Sequence, residues 1–210
     1  MQEIKAFTDY KLQLMDRILD TVIAAVTARG IKAVKMDDVA TQLGISKRTL
    51  YELYDDKETV VFEAVKHYHE NKKVALNVYA ANSHNVLDVI IHFYEMQINE
   101  SKNVNPLFYE DIVKYPRLVA YLDGKKQNNR DNFMRLMKRG VEEGLFREDI
   151  DYGIIAHMFE AQGNYLRNKR LYQQYTFEKL FFTMLFVSLR GFCTQKGIEQ
   201  LDQFFASNKR

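Results

Sequence analysis

Cysteine occurs once in the 210 residues, at Cys193, tryptophan not at all and proline only twice. A lone thiol excludes an internal disulfide framework and any cysteine-rich zinc site. Two prolines and nine glycines are too few for a loop-rich all-β protein and favour helix. An excess of one charge is also lacking: 30 Lys plus Arg stand against 28 Asp plus Glu, a formal +2 that names no polyanion partner by itself. Long apolar runs are missing as well. The longest stretch, Leu180 to Leu189, is bounded by Lys179 and Arg190, whereas a membrane span needs about 20 apolar residues. A buried helix is expected there, and no membrane partner. The first residues, Met1-Gln-Glu-Ile-Lys-Ala-Phe, have no apolar signal-peptide core, so the expected location is cytoplasmic.

What is present is enough for a core: 47% hydrophobic residues, with 14 Phe and 13 Tyr, excludes global disorder. Periodicity predicts helix almost throughout. Met15, Ile18, Leu19, Val22, Ile23 and Val26 recur at spacings of three and four, and Gly30 ends that helix. Short helices follow around 37–43 and 47–54. Asp55-Asp56 offers a cap for a long helix near 57–80, and further helices are expected near 85–101, 105–113, 117–139, 150–169, 176–195 and 197–206. The expected fold class is all-α: a small N-terminal three-helix unit fused through the long fourth helix to a larger C-terminal helical body, divided as 10–70 and 71–210.

Residues 37–54, DDVATQLGISKRTLYELY, carry the helix-turn-helix logic. Two short helices crossing steeply need a small residue at their contact, here Ala40. Four residues later the turn needs a backbone with positive φ, which Gly44 adopts without steric cost. Ile45 plugs the turn, Leu50 faces Val39 and Leu43, and Ser46 is a natural N-cap for the second helix. Lys47 and Arg48 stand in that helix's first turn, where the macrodipole disfavours cations. An outside anion such as phosphate would account for them. Against this, residues 1–73 hold 12 basic and 12 acidic side chains, so any contact with DNA relies on a local basic face.

The run Gly30-x5-Met36-x2-Val39-Ala40-x3-Gly44-Ile45-Ser46-Lys47-x-Thr49-Leu50-Tyr51-x2-Tyr54-x2-Lys57-Glu58 resembles the DNA-binding region of the TetR (tetracycline-repressor-like) family of bacterial regulators. The resemblance covers roughly the first third of the chain. Gly144-Leu145-Phe146-Arg147-x-Asp149-Ile150 is a weaker echo of the same family. It implies a homodimeric, ligand-responsive repressor reading a palindromic double-stranded DNA operator. Its implied contacts are Lys35, Ser46, Lys47, Arg48, Thr49, Tyr51 and Lys57, with Tyr51 on phosphate and thymine methyl and Lys57 as a phosphate clamp. Three positions depart from the family: Lys35 stands where Thr or Ser usually caps, Leu53 where His or Tyr usually touches the backbone, and Tyr54 where Phe usually ends the motif.

In the C-terminal part, Phe177 to Cys193 is apolar on most faces, so burial on all sides is expected. With an earlier partner at Ile154, Ile155, Met158, Phe159 and Tyr165, this segment is expected to form half of an intersubunit four-helix bundle, its dimer interface running through Ile155, Phe159, Phe181, Leu185 and Leu189. His92, Tyr94, Met96, Tyr109, Met137 and Gln162 are the candidate contacts for a small hydrophobic or amphipathic effector. No Gly-x-Ser-x-Gly elbow, phosphate-binding Gly-rich loop or His-Glu-x-x-His occurs, so no catalytic residue, metal or cofactor is expected. The alternative is an all-α protein-interaction module whose helix-turn-helix docks another protein.

Overall fold

The computed structural model describes the backbone of residues 2–207 and the side chains of residues 9–206, apart from those of 126, 127, 167 and 172. Among the described residues it contains α1 (Gln2–Arg29), α2 (Met36–Leu43), α3 (Lys47–Leu53), α4 (Lys57–Asn82), α5 (Val86–Ser101), α6 (Pro106–Ile112), α7 (Pro116–Glu142), α8 (Tyr152–Asn168), α9 (Phe177–Phe192) and α10 (Gln195–Ser207). A 3-10 helix at Leu171–Gln173 was not anticipated. The pairing of Phe146 with Cys193 is an isolated bridge and not a strand.

Two compact units form. Among the described residues the first comprises 2–75 and 103–123, the second 76–102 and 124–207. This differs from a single division after residue 70. Helix α6 and the start of α7 pack with the N-terminal unit because Phe108 and Leu118 join its core. The expected second domain runs to residue 210, and 208–210 lie outside the described residues.

In the first unit the stripe foreseen on α1 is buried: Ile18, Val22 and Val26 are closed off from solvent against Val39, Leu50, Val60 and Val61. Gly44 has φ +68° and caps α2, its N–H bonding back to the Thr41 carbonyl while the Ile45 N–H reaches the Ala40 carbonyl. Helix α3 starts at Ser46, whose Oγ accepts the Thr49 N–H at 3.0 Å. Helix α4 starts beside Asp56, whose Oδ1 accepts the Thr59 N–H at 2.7 Å. Each such cap satisfies an orphan donor and stabilises its helix by about 1 kcal/mol.

In the second unit the core gathers Val86, Leu87, Phe146, Tyr152, Leu189, Phe192 and Leu201. The Arg139 guanidinium donates to the Ala80 and Ser83 carbonyls and to Glu143, whose other oxygen accepts the Val86 N–H. That network fixes the turn between α4 and α5. The segment after α7 is held by the Arg147 N–H on the Phe192 carbonyl and the Thr194 N–H on the Leu145 carbonyl. Helix α9 departs from the expectation of burial on all sides. Within the chain Phe177 and Phe182 remain exposed, and Val187 is 69% exposed.

Candidate nucleic-acid interface

The residues that foreshadow a contact with DNA come from the end of the α1–α2 loop and the first turns of α3. Lys35 occupies the N-cap position of α2 with extended backbone and makes no side-chain cap, as its lack of an acceptor requires. Its ammonium is exposed. Ser46, Lys47 and Arg48 are exposed, Thr49 is half-buried and Tyr51 presents 36% of its surface. The Lys47 ammonium lies 6.0 Å from the centre of the Tyr51 ring, close enough for a cation–π attraction. These two side chains therefore occupy one edge of α3. The Thr49 hydroxyl is 2.8 Å from Ser46 Oγ, so the cap also fixes the rotor of a residue implied in DNA contact.

The cations at the start of α3 are not left without acids. Lys47 Nζ is 2.7 Å from Asp37 Oδ1, and Arg48 Nε is 2.8 Å from Glu52 Oε1. Hydrogen bonding to Asp37 raises the Lys47 ammonium above its ordinary value, and Glu52 does the same for Arg48. All four side chains are well exposed. Exposed ion pairs of this kind are weak and screened by salt, so the cations can exchange a carboxylate for a phosphate.

Lys57 requires a correction. Its ammonium is half-buried and donates to the Val34 carbonyl at 2.6 Å and the Lys32 carbonyl at 3.4 Å. Burial pulls this amine below its usual value. A group so engaged holds the α1–α2 loop and does not reach outward as a phosphate clamp. Tyr54, at the end of the motif, is buried in the core with its hydroxyl unpartnered, and burial pushes its phenol up to about 12.

The six effector candidates do not converge. Tyr109 is exposed on α6 in the first unit, whereas the other five belong to the second. Met137 is closed into the second core beside Phe146 and lines no opening. His92 stacks face to face on Tyr79 at 3.7 Å, while Met96 is half-buried on the same helix. Tyr94 borders a cleft of about 470 Å³ with Glu95, Glu178, Phe182, Phe204 and Phe205. Desolvation and the two carboxylates raise its phenol. Gln162 borders a different, open groove of about 750 Å³ between α8 and α9, and its Oε1 is buried without a hydrogen-bond partner in the chain. The spacing of aromatic and polar residues along the sequence carried no signal of which helix pair would open.

Leu189 among the dimer candidates also needs correcting. Leu189 is 0% exposed, Phe181 packs on Phe93, Tyr94 and Phe177, and Phe159 meets Phe133 edge-on. Ile155 and Leu185 pack on the same core. Leu189 thus lies in the interior, while Ile155, Phe159, Phe181 and Leu185 are half-buried at its edge. The exposed apolar stripes carry Ile154, Met158 and Tyr165 on α8 and Val187 on α9. A count of apolar residues along α8 and α9 does not say which of their faces the rest of the chain covers.

Among the described residues no cluster of His, Cys, Asp or Glu is suited to a metal ion, and no helix is long and apolar enough to cross a membrane. Cys193 is buried, which pushes its thiol up to about 11.

Residues 18–64 match the family described as bacterial regulatory proteins, tetR family. The chain is 28% identical over 142 residues to the HTH-type transcriptional repressor KstR2 of Rhodococcus jostii, covering 64% of this chain and 68% of that protein. It is 24% identical over 164 residues to the uncharacterized HTH-type transcriptional regulator YezE of Bacillus subtilis, covering 73% and 80%. Among solved structures, a TetR-family regulator from Cytophaga hutchinsonii superposes with a TM-score of 0.66 at 16% identity, covering 87% of this chain and 96% of that one. The matched segment spans the α1 stripe, the Gly44 turn, the Ser46 cap and Lys57, so the helix-turn-helix unit of this chain is similar to that of bacterial regulatory proteins of the tetR family.

Proposed function

We propose that the chain is a ligand-responsive repressor that binds a palindromic operator as a homodimer, with α3 entering the major groove. The observation that carries this is the exposed Lys47–Tyr51 edge of a firmly capped α3, inside the segment that matches the family. Arg48 and Thr49 would then face base edges, Arg48 being able to grip guanine O6 and N7 at about 1–3 kcal/mol of discrimination. Lys35, Ser46, Lys47 and Tyr51 would meet phosphate and sugar. The relatives bear the names of regulators and not of enzymes, and the protein-interaction alternative has no observation in its favour.

The partner that would complete the dimer is a second copy seated on the α8–α9 groove. Exposed Ile154, Met158 and Val187 supply the apolar area, and the orphaned Gln162 oxygen would gain a donor there. The effector we assign to the Tyr94 cleft, where four aromatic rings, two carboxylates and the Lys179 ammonium suit an amphipathic organic molecule.

The test is fluorescence anisotropy with duplexes from the region upstream of the protein's own gene, over a salt series. Neutralising six to ten phosphates predicts an affinity loss of about 10³–10⁵-fold between 50 and 200 mM salt. Tyr51→Ala should weaken binding while helix content and assembly state stay unchanged. Binding that is absent or independent of salt would return the protein-interaction alternative.

A further inference from the structure

Both backbone polar groups of Lys32 are engaged by charged side chains. Its N–H donates to Asp111 Oδ2 at 2.9 Å, and its carbonyl accepts from Lys57 Nζ at 3.4 Å. Lys57 makes its shorter bond, 2.6 Å, to the carbonyl of Val34 two residues on. Asp111 reaches in from α6, 79 residues away in sequence, and is the buried charged side chain of the described residues at 6% exposure. Its second oxygen takes Lys114 Nζ at 2.9 Å. The hydrogen bond from the Lys32 amide, and then that from Lys114, hold this carboxyl below the usual carboxylate range.

The surrounding chain is shaped around this grip. Gly30 has φ +84°, and a Cβ there would stand 3.0 Å from Leu107 Cβ and 3.2 Å from Asp111 Oδ2, so α6 sits tight against the turn that ends α1. Asn105 N–H bonds the Thr27 carbonyl at 2.8 Å, fastening the start of α6 to the same helix end. The gripped segment leads directly into Lys35, the N-cap of α2. It therefore decides where α2 begins and, through the Gly44 turn, how α3 is presented.

We propose that Asp111 and Lys57 are positioning residues for operator binding, acting as opposed charges on the α1–α2 loop, neither of them touching DNA. This deepens the repressor assignment and rests on it. Two features separate it from ordinary electrostatics. Removing the negative charge of Asp111 should tighten binding to a polyanion if charge alone mattered, whereas a lost grip weakens it. Removing a phosphate-contacting lysine should lower the salt slope by about one, whereas a lysine acting through the loop leaves the slope unchanged.

The experiment uses the full chain, with Asp111→Asn and Lys57→Met singly and together, and the same upstream duplex across a salt series. Each single change is expected to weaken binding about tenfold at fixed salt with an unaltered slope. The double change should weaken it no further than the stronger single one, because both release one loop. In hydrogen exchange the Lys32 amide should exchange faster in Asp111→Asn, while the amides of Val60 and Val61 keep their protection. Unchanged or tighter DNA binding by Asp111→Asn, or a slope lowered by one in Lys57→Met, overturns the proposal. If the unaltered protein binds no duplex, the repressor assignment falls instead, and exchange at Lys32 alone decides whether the grip exists.

Discussion

Lys47 of α3 and Asp37 of α2 form a 2.7 Å ion pair across the helix-turn-helix, on the edge that also carries Tyr51. The pair places a carboxylate beside the cation proposed to meet phosphate. Asp37 also stands in the first turn of α2, where a negative charge complements the helix dipole. The same acid thus steadies α2 and pairs with Lys47.

Asp37→Asn is expected to tighten operator binding several-fold at low salt, since a repelling charge leaves the interface and Lys47 is released. The gain should fade as salt rises, because both effects are screened. Anisotropy at two ionic strengths reads this directly. Weaker binding at low salt would mean that the pair is needed to aim Lys47 and does not restrain it.

The Gly44 turn gives a separate test. Its φ of +68° is one that β-branched residues resist, yet nothing lies within 4 Å of where a Cβ would stand. Backbone strain is therefore the whole penalty. Gly44→Ala should destabilise the protein by about 1–2 kcal/mol, Gly44→Asn by less, and Gly44→Val by more. Thermal melts should rank the three in that order. At Gly30 the same positive φ is joined by the contacts with Leu107 and Asp111, so Gly30→Ala should cost more than Gly44→Ala.

The contrast between these two glycines marks what was legible in the sequence. Local rules place Gly44, the Ser46 cap, the Asp56 cap and the α1 stripe, because each depends on residues within a turn or two of one another. Lys57 and Leu189 were misread for a common reason. A lysine at a helix start looks the same whether it faces phosphate or a carbonyl brought in from 23 residues earlier. An apolar helix likewise does not announce which of its stripes the rest of the chain will cover. Asp111 was invisible, since its partner at Lys32 becomes a neighbour only after α6 has folded onto α1.

Acid should act through that carboxylate. The folded-state value of Asp111 lies below its unfolded value, so its stabilising contribution is complete above the unfolded value near 3.9 and is lost as pH falls through the folded one. Asp111→Asn removes this dependence. Urea titrations of the two proteins from pH 7 downward should therefore show a stability gap that narrows in acid. A gap that stays constant would mean that Asp111 contributes shape alone.

Val187 decides whether the α8–α9 face is where two copies meet. At 69% exposure in the single chain it can accept a charge without disturbing the subunit's own core. Val187→Glu should fold normally, yet association would bury an unpaired carboxylate in an apolar face, at a cost of several kcal/mol. The dissociation constant for self-association should rise by at least about a hundredfold in sedimentation experiments. Leu189→Ala, two residues away but 0% exposed, makes the opposite comparison: it should lower stability by about 2–5 kcal/mol through a core cavity and leave the face intact. Because a palindromic operator presents half-sites about 34–36 Å apart, only the first variant should lose cooperative operator binding while it remains folded. A dimeric Val187→Glu would remove this face from the assembly.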